Sequence, residues 1–321
     1  MLNISYTLSP RLKEDLYKIE RLRRQILLTP LSPKTKLKLR WETMLKRIYS
    51  SLKLSGNSLK KTEMVKLLAQ THKKIGTEEQ EVLKYKAALN YISQNWLGSE
   101  NPVNSRAIIE LYRKIGSGTL QVKEKDLQYL LDYLQARSEN PIIQAGIVNI
   151  EIEKMRPFSG NNKLISHLAS LLFLYKFGYD FRGFLAYEAE WLEDSPLVGA
   201  KSDLAGGFKE NYERAFNSTN LTLWLEYFAS CILKQIELIV QSLSKPKSQI
   251  LDIRESFWEL NDRQKSILSY LDSPQATITN RQIQKRFKTS QITASRDLAK
   301  LTNLGFLFSH GKGRSVYYTK I

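Results

Sequence analysis

Apolar residues recur at helical spacing through most of the first 245 positions. Leu12, Leu16, Ile19, Leu22 and Ile26 lie three or four apart and predict a helix within residues 8–29, stopped before Pro30. Ser32 followed by Pro33 is an N-cap and first-turn pair, opening a second helix that runs to the break "SGNS" at 55–58. The same periodicity predicts helices over 60–73, 77–95, 101–115, 122–138, 141–155, 161–177, 206–217 and 221–244. Strand-type alternation is almost absent up to this point, so the region reads as all-α.

The texture changes after "SLSKPKSQ" (242–249), which reads as a linker. "NDRQKSILSYLDS" predicts a short amphipathic helix, "ATITN" an extended piece and "TNRQIQKRF" a capped helix. "KTS" is a tight turn, "SQITASRDLAKLTNLG" a longer helix, and "FLFSHGKGRSVYYTKI" a hairpin with a basic tip. This is the order of a winged helix-turn-helix. Ile283, Phe287, Ala294, Leu298 and Leu301 can share a small core, leaving Thr293, Arg296 and Lys300 on the outer face of the longer helix. "SQITASRDLAKL" (290–301) resembles the recognition helix of winged-helix bacterial regulators with an S-x-x-T-x-x-R-D-L pattern, matched at Ser290, Thr293, Arg296, Asp297 and Leu298. The expected DNA-contacting set is Ser290, Gln291, Thr293, Arg296 and Lys300, with Lys312 and Arg314 at the wing tip. Use of the same module for dimerisation or protein contact stays open.

The fold class expected is therefore mainly α: a helical bundle with an N-terminal helical extension, plus a C-terminal winged helix-turn-helix (α+β) domain. Composition agrees with a folded chain of two domains, 42% hydrophobic and 25% charged over 321 residues. The net charge of +17 favours polyanionic partners, double-stranded DNA first, although solubility alone can account for such an excess. Part of it lies in Arg21, Arg23, Arg24, Lys34, Lys36, Lys38 and Arg40, read as a solvated helix face or, in the alternative, an extension of a DNA-binding surface. Cys231 sits in an apolar run and reads as a buried thiol, and the five tryptophans read as core. Three scattered histidines give no zinc pattern. No apolar run is long enough for a membrane span and the N-terminus has no apolar signal core, so no membrane and a cytoplasmic location are expected.

One stretch suggests chemistry. "KMRPFSGNNK" (154–163) places Pro-Phe and Gly-Asn between two predicted helices. It resembles the loop of the Fic (Fido) family, H-P-F-x-[DE]-G-N-G-R-x-x-R. "IYSSLKLSGNSL" (48–59) is similar to that family's inhibitory helix, and "EVLKYKAALNYI" (81–92) and "LTLWLEYFASCI" (221–232) to its flanking helices. The resemblance implies a helical Fido body whose active members transfer AMP or a related nucleotide to protein hydroxyls. In that loop a His acts as base, an acid holds Mg²⁺, Gly-Asn-Gly cradles phosphate and two arginines neutralise it.

This chain departs from that pattern at almost every position. Arg156 stands at the place of the His, and a guanidinium cannot serve as a general base at neutral pH. "FSGNNK" is one residue short, so the metal-holding acid has no counterpart and Mg²⁺ binding is not expected. Asn162 replaces the second Gly and obstructs a phosphate unless it is left-handed. Lys163 and Ser166 replace the arginines, Ser55 replaces the inhibitory Glu, and the substrate-aligning hairpin shrinks to "KIGSGTLQVKEKD" (114–126), too short to register a peptide. The expectation is a catalytically inactive body. Arg156, Gly160, Asn161, Asn162 and Lys163 remain candidates to bind a phosphate, ATP or another nucleotide, or else form only a helix-entry turn. The expected domains are an N-terminal helical region at 1–100, a degenerate Fido domain at 101–245, a linker at 246–255 and the winged helix at 256–321. The expected protein is a nucleoid-associated transcriptional regulator acting as a homodimer on paired half-sites. The rival readings are a divergent nucleotide transferase and a protein-interaction scaffold.

Overall fold

The computed structural model describes residues 4–69, 75–136, 139–193, 207–244, 260–271, 276–303, 306–311 and 316–320. The chain separates into two compact units, Met1–Leu59 with Thr77–Lys245, and Lys60–Gly76 with Pro246–Ile321.

The first unit is helical: α1 (Pro10–Leu28) and α2 (Pro33–Leu54) open it. Each begins as its sequence demands, with the Ser9 hydroxyl accepting from the Leu12 N–H, the Ser32 hydroxyl from the Thr35 N–H, and Pro in the first turn. The next helix in the chain, α3 (Lys61–Ala69), belongs to the second unit. There follow α4 (Thr77–Asn95), α5 (Ser105–Ile115), α6 (Glu124–Ala136), α7 (Pro141–Met155) and α8 (Asn162–Lys176). A 3₁₀ turn (Phe181–Gly183), α9 (Glu188–Glu193), α10 (Gly207–Phe216) and α11 (Thr222–Ser244) complete the unit.

Helices α7 and α8 form its centre, and both are buried around nearly their whole circumference, as expected of helices with little polar face. Gly146 lets α11 approach closely: a Cβ there would lie 2.8 Å from Leu225 Cδ2, and the Trp224 indole N–H donates to the Gly146 carbonyl at 2.8 Å. Trp41, Trp96, Trp191, Trp224 and Cys231 are buried, as their spacing predicts, while Trp258 and the expected linker at 246–255 lie outside the described residues.

Two features depart from the sequence-based expectation. The 3₁₀ turn and α9 span three and six residues, too short for periodicity to mark, and exist because Phe181, Tyr187 and Trp191 bury completely. The N-terminal cations are not a purely solvated face. Arg23 donates to the Gly178 carbonyl at 3.0 Å and Arg40 to the Arg182 carbonyl at 2.9 Å. Arg182, itself left-handed, reaches the Ile26 and Thr29 carbonyls at the end of α1, where unpaired helix carbonyls attract a cation. Farther along α2, buried Arg47 lies 3.6 Å from buried Glu188.

In the second unit, α12 (Asp262–Tyr270) and α13 (Asn280–Phe287) each start on a reciprocal capping box, Asn261 with Gln264 and Thr279 with Gln282. Lys288 turns left-handed between α13 and α14 (Gln291–Asn303). Strands β1 (Thr277–Ile278), β2 (Leu307–His310) and β3 (Tyr317–Lys320) form an antiparallel sheet in the order β1-β3-β2, with Ile278 opposite Tyr318 and Phe308 opposite Thr319. Ile283, Ala294, Leu298 and Leu301 are buried as their spacing implies, whereas Phe287 is only half-buried. Lys312 and Arg314 lie outside the described residues.

Candidate functional site

The loop of the first unit begins where α7 ends. Arg156 caps that helix in the left-handed region (φ 46°, ψ 59°), a conformation uncommon for a side chain of its size. Phe158 then buries and stacks on Tyr112, ring centres 3.9 Å apart. Residues 119–121 run antiparallel beside 157–159. The Gln121 N–H donates to the Pro157 carbonyl at 2.8 Å and the Ser159 N–H to the Thr119 carbonyl at 3.0 Å. Of the 114–126 segment, the ends belong to α5 and α6, and the connection between them forms an arm hydrogen-bonded to the loop through residues 119–121. Gly118 is what lets the arm lie so close, since a Cβ there would sit 2.1 Å from Ser159 Oγ and 2.3 Å from the Tyr112 hydroxyl.

The left-handed residue at the start of α8 is Asn161 (φ 57°, ψ 20°), one position before the residue the sequence singled out. Asn162 is helical, and its side chain turns back instead of obstructing the loop. Its amide oxygen accepts from the Phe158 N–H at 3.0 Å and its NH₂ donates to the Phe158 carbonyl at 2.7 Å. A side-chain amide carries both partners a peptide group needs, so this one residue closes the loop. Asn161 makes no capping bond to α8, and a Cβ on Gly160 would meet nothing within 4 Å. The backbone around 160–161 is thus open, at the positive end of a 15-residue helix.

The two cations have aromatic neighbours. Helix α10 carries Phe208, Tyr212 and Phe216 at four-residue intervals, which places them on one face. Lys163 Nζ lies 5.8 Å from the ring centres of Phe208 and Tyr212, and the Arg156 guanidinium lies 6.0 Å from that of Phe216. These are cation–π distances. A carboxylate that the motif did not point to lies near enough to feel both cations. Buried Glu153 accepts from the Tyr212 hydroxyl at 2.7 Å and lies 3.2 Å from the Ser166 hydroxyl. Burial pushes the Glu153 carboxyl above its ordinary range, against the opposing pull of the Tyr212 bond, Lys163, Ser166 and Arg156. Burial and this carboxylate push the Tyr212 phenol upward as well. Glu153 precedes Arg156 by one helical turn, and that spacing was the available signal. Beneath the loop, buried His167 packs edge-on to Trp191, and burial with the Lys163 charge holds its imidazole down to about 3.

In the second unit, α14 divides its residues sharply. Asp297 is buried and accepts from Arg263 at 2.5 Å and from Gln264 at 2.7 Å, joining α14 to α12. Ser290 caps the helix, its hydroxyl accepting the Thr293 N–H at 3.2 Å and lying 2.9 Å from the Thr293 hydroxyl. These two expected contact residues are engaged in capping, and Thr293 and Lys300 are half-buried. Gln291 and Arg296 are exposed as expected. Sequence spacing missed their neighbours Ile292, Ser295 and Ala299, which line one shallow concavity with Gln291 and Arg296. Arg296 has no hydrogen bond or ion pair among the described residues.

No known family profile matches the sequence, and no curated protein matches it. Solved structures do. A crystal structure of a Fic family protein from Desulfovibrio desulfuricans G20 superposes with a TM-score of 0.59 at 14% identity, over 99% of this chain and 98% of that one. Fic-1 of C. elegans, residues 134–508, matches with a TM-score of 0.55 at 17% identity over 72% of each chain. The chain has a Fic fold. At such identities the likeness concerns architecture, and it agrees with the fold that the "RPFSGNNK" resemblance implied. No described helix is long and apolar enough to cross a membrane.

Proposed function

We propose that this is a DNA-binding regulatory protein in which a Fic-fold body without transferase activity is joined to a winged helix-turn-helix. The observation that carries the reading is the solvent face of α14, where Gln291, Ser295 and Arg296 share a concavity while Asp297, Ala294 and Leu298 hold the opposite face inward. Helix, turn and helix followed by a small antiparallel sheet is the arrangement that presents such a helix to a major groove. The chain's +17 charge supplies the sequence-independent attraction to phosphate. Lys312 and Arg314, outside the described residues, are the further phosphate contacts expected on this reading. A homodimer on paired half-sites, in the cytoplasm and associated with the nucleoid, follows from this reading.

The loop supports the inactive half of the proposal. Asn162 is committed to Phe158, the arm at 119–121 is hydrogen-bonded along 157–159, and Arg156 stands where the motif that the loop resembles has a His. A phosphate group, on ATP or another nucleotide and without Mg²⁺, is the ligand that the open backbone of Gly160 and Asn161 and the charges of Arg156 and Lys163 would suit. The test of the main reading is duplex binding by the full chain. Affinity should fall steeply with salt, and a flat dependence would count decisively against it.

Glu153 favours one second reading, a divergent nucleotide transferase. A carboxylate that burial makes more basic, hydrogen-bonded to a phenol, is the sort of group that can accept a proton. In that case the protein incubated with labelled ATP, GTP, UTP or CTP and Mg²⁺ would label itself or a lysate component, and Glu153→Gln would abolish the labelling.

A further inference from the structure

We propose that Ile292 reads a thymine methyl group, so that the DNA site contains an obligatory A·T pair next to the base pair met by Arg296. The inference rests on the DNA-binding reading above and adds a specificity element to it. Ile292 is 65% exposed, the most exposed large apolar residue among the described residues of the second unit. Packing does not explain it, because the buried side of α14 is already formed by Ala294, Leu298 and Leu301. Helix propensity does not explain it either, since a β-branched side chain is a poorer choice for an exposed helical position than Lys, Glu or Gln.

What surrounds Ile292 identifies the occupant. It shares its concavity with Gln291, Ser295, Arg296 and Ala299, so the apolar patch is small and set among hydrogen-bonding groups. Between residues 276 and 303, Arg281, Lys285, Arg286, Lys288, Arg296 and Lys300 are accompanied by a single acid, Asp297, which is buried. A protein partner wants a wider apolar area with fewer like charges around it. A major groove offers what this face complements: phosphates on both walls, guanine and adenine edges for Arg and Gln, and one exposed apolar group, the C5 methyl of thymine. Ile292 can cover that methyl while Arg296, one turn beyond Ile292, meets a neighbouring guanine.

The test uses the full chain and random 30-base-pair duplexes, prepared once with thymine and once with uracil, which lacks only the methyl. Repeated capture from the thymine pool is expected to yield a motif with a fixed A·T pair. That pair should lose its preference in the uracil pool while the other positions keep theirs. On the selected duplex, uracil at that one position should lower affinity about three- to fivefold, the effect of one buried methyl. Ile292→Ala should bind thymine and uracil duplexes alike, and Ile292→Val should keep most of the difference. A motif that is identical in both pools overturns the inference while leaving DNA binding intact, and so does tight binding with no sequence preference. No binding to either pool sinks the DNA reading and this inference with it. A chain that instead self-associates through this face, with Ile292→Ala yielding monomers, overturns it in favour of a protein contact.

Discussion

The loop at 156–163 and the outer face of α14 carry similar residue types, cations beside amides and hydroxyls, yet they use them in opposite ways. In the loop nearly every polar side chain is turned on the protein itself. Asn162 holds Phe158, Ser159 receives the Thr119 N–H, Lys163 lies near the α10 rings, and Ser166 meets Glu153. On α14 the inward residues do the holding and the outward ones keep their capacity, Arg296 most of all. The lesson concerns where binding free energy comes from. A group already hydrogen-bonded inside the fold gains little from a ligand, whereas a solvated one on a rigid helix can exchange water for a partner.

Four experiments would break or sharpen that contrast. The largest effect is expected from Gly118→Ala, which drives a methyl into Ser159 and into a Tyr112 ring fixed by its stack on Phe158. Denaturant unfolding should show a loss of about 1–3 kcal/mol, with duplex binding by the folded protein unchanged. Arg296→Ala should do the reverse. Affinity for a selected duplex should drop by about 1–3 kcal/mol, while the unfolding midpoint stays put because the side chain is exposed. Equal damage by both variants to stability and binding would erase the distinction.

The third experiment is a pH titration of stability. The buried His167 ring is neutral when folded, titrating only near 3, and takes up a proton below about 6.5 when the chain unfolds. Its contribution is therefore whole above about 6.5 and drains away as pH falls towards 3. The slope approaches about 1.4 kcal/mol per pH unit for the one proton. His167→Gln should flatten that limb between pH 6 and 4, and an unchanged slope would place the titrating group elsewhere. The smallest effect should come from Asn162→Ala. It removes two hydrogen bonds from a partly buried loop and should cost about 1–2 kcal/mol by thermal or denaturant unfolding.

Much of the local structure was legible in the chain. Ser32-Pro33 opens α2, Thr77–Asn95 and Pro141–Met155 are bounded as periodicity predicts, and the inward set Ile283, Ala294, Leu298 and Leu301 follows from spacing. The Fic fold was legible through a few motif residues at the join of α7 and α8. Less could be read of the sites. Glu153 meets Tyr212 across 59 positions, and residues 119–121 meet 157–159 across roughly 38, distances over which one sequence carries no pairing signal.

The sequence by itself settled the longer helices and most of the apolar residues they bury, because those are matters of nearest-neighbour sterics and period. Only the tertiary structure decided what the polar residues are for. It turned Asn162 inward and Arg296 outward, brought the Glu153 carboxylate to the Tyr212 hydroxyl, and set Ile292 in the open beside Arg296. The reason is physical: a side chain's partner is chosen by proximity in space, and proximity exists only once the helices have packed.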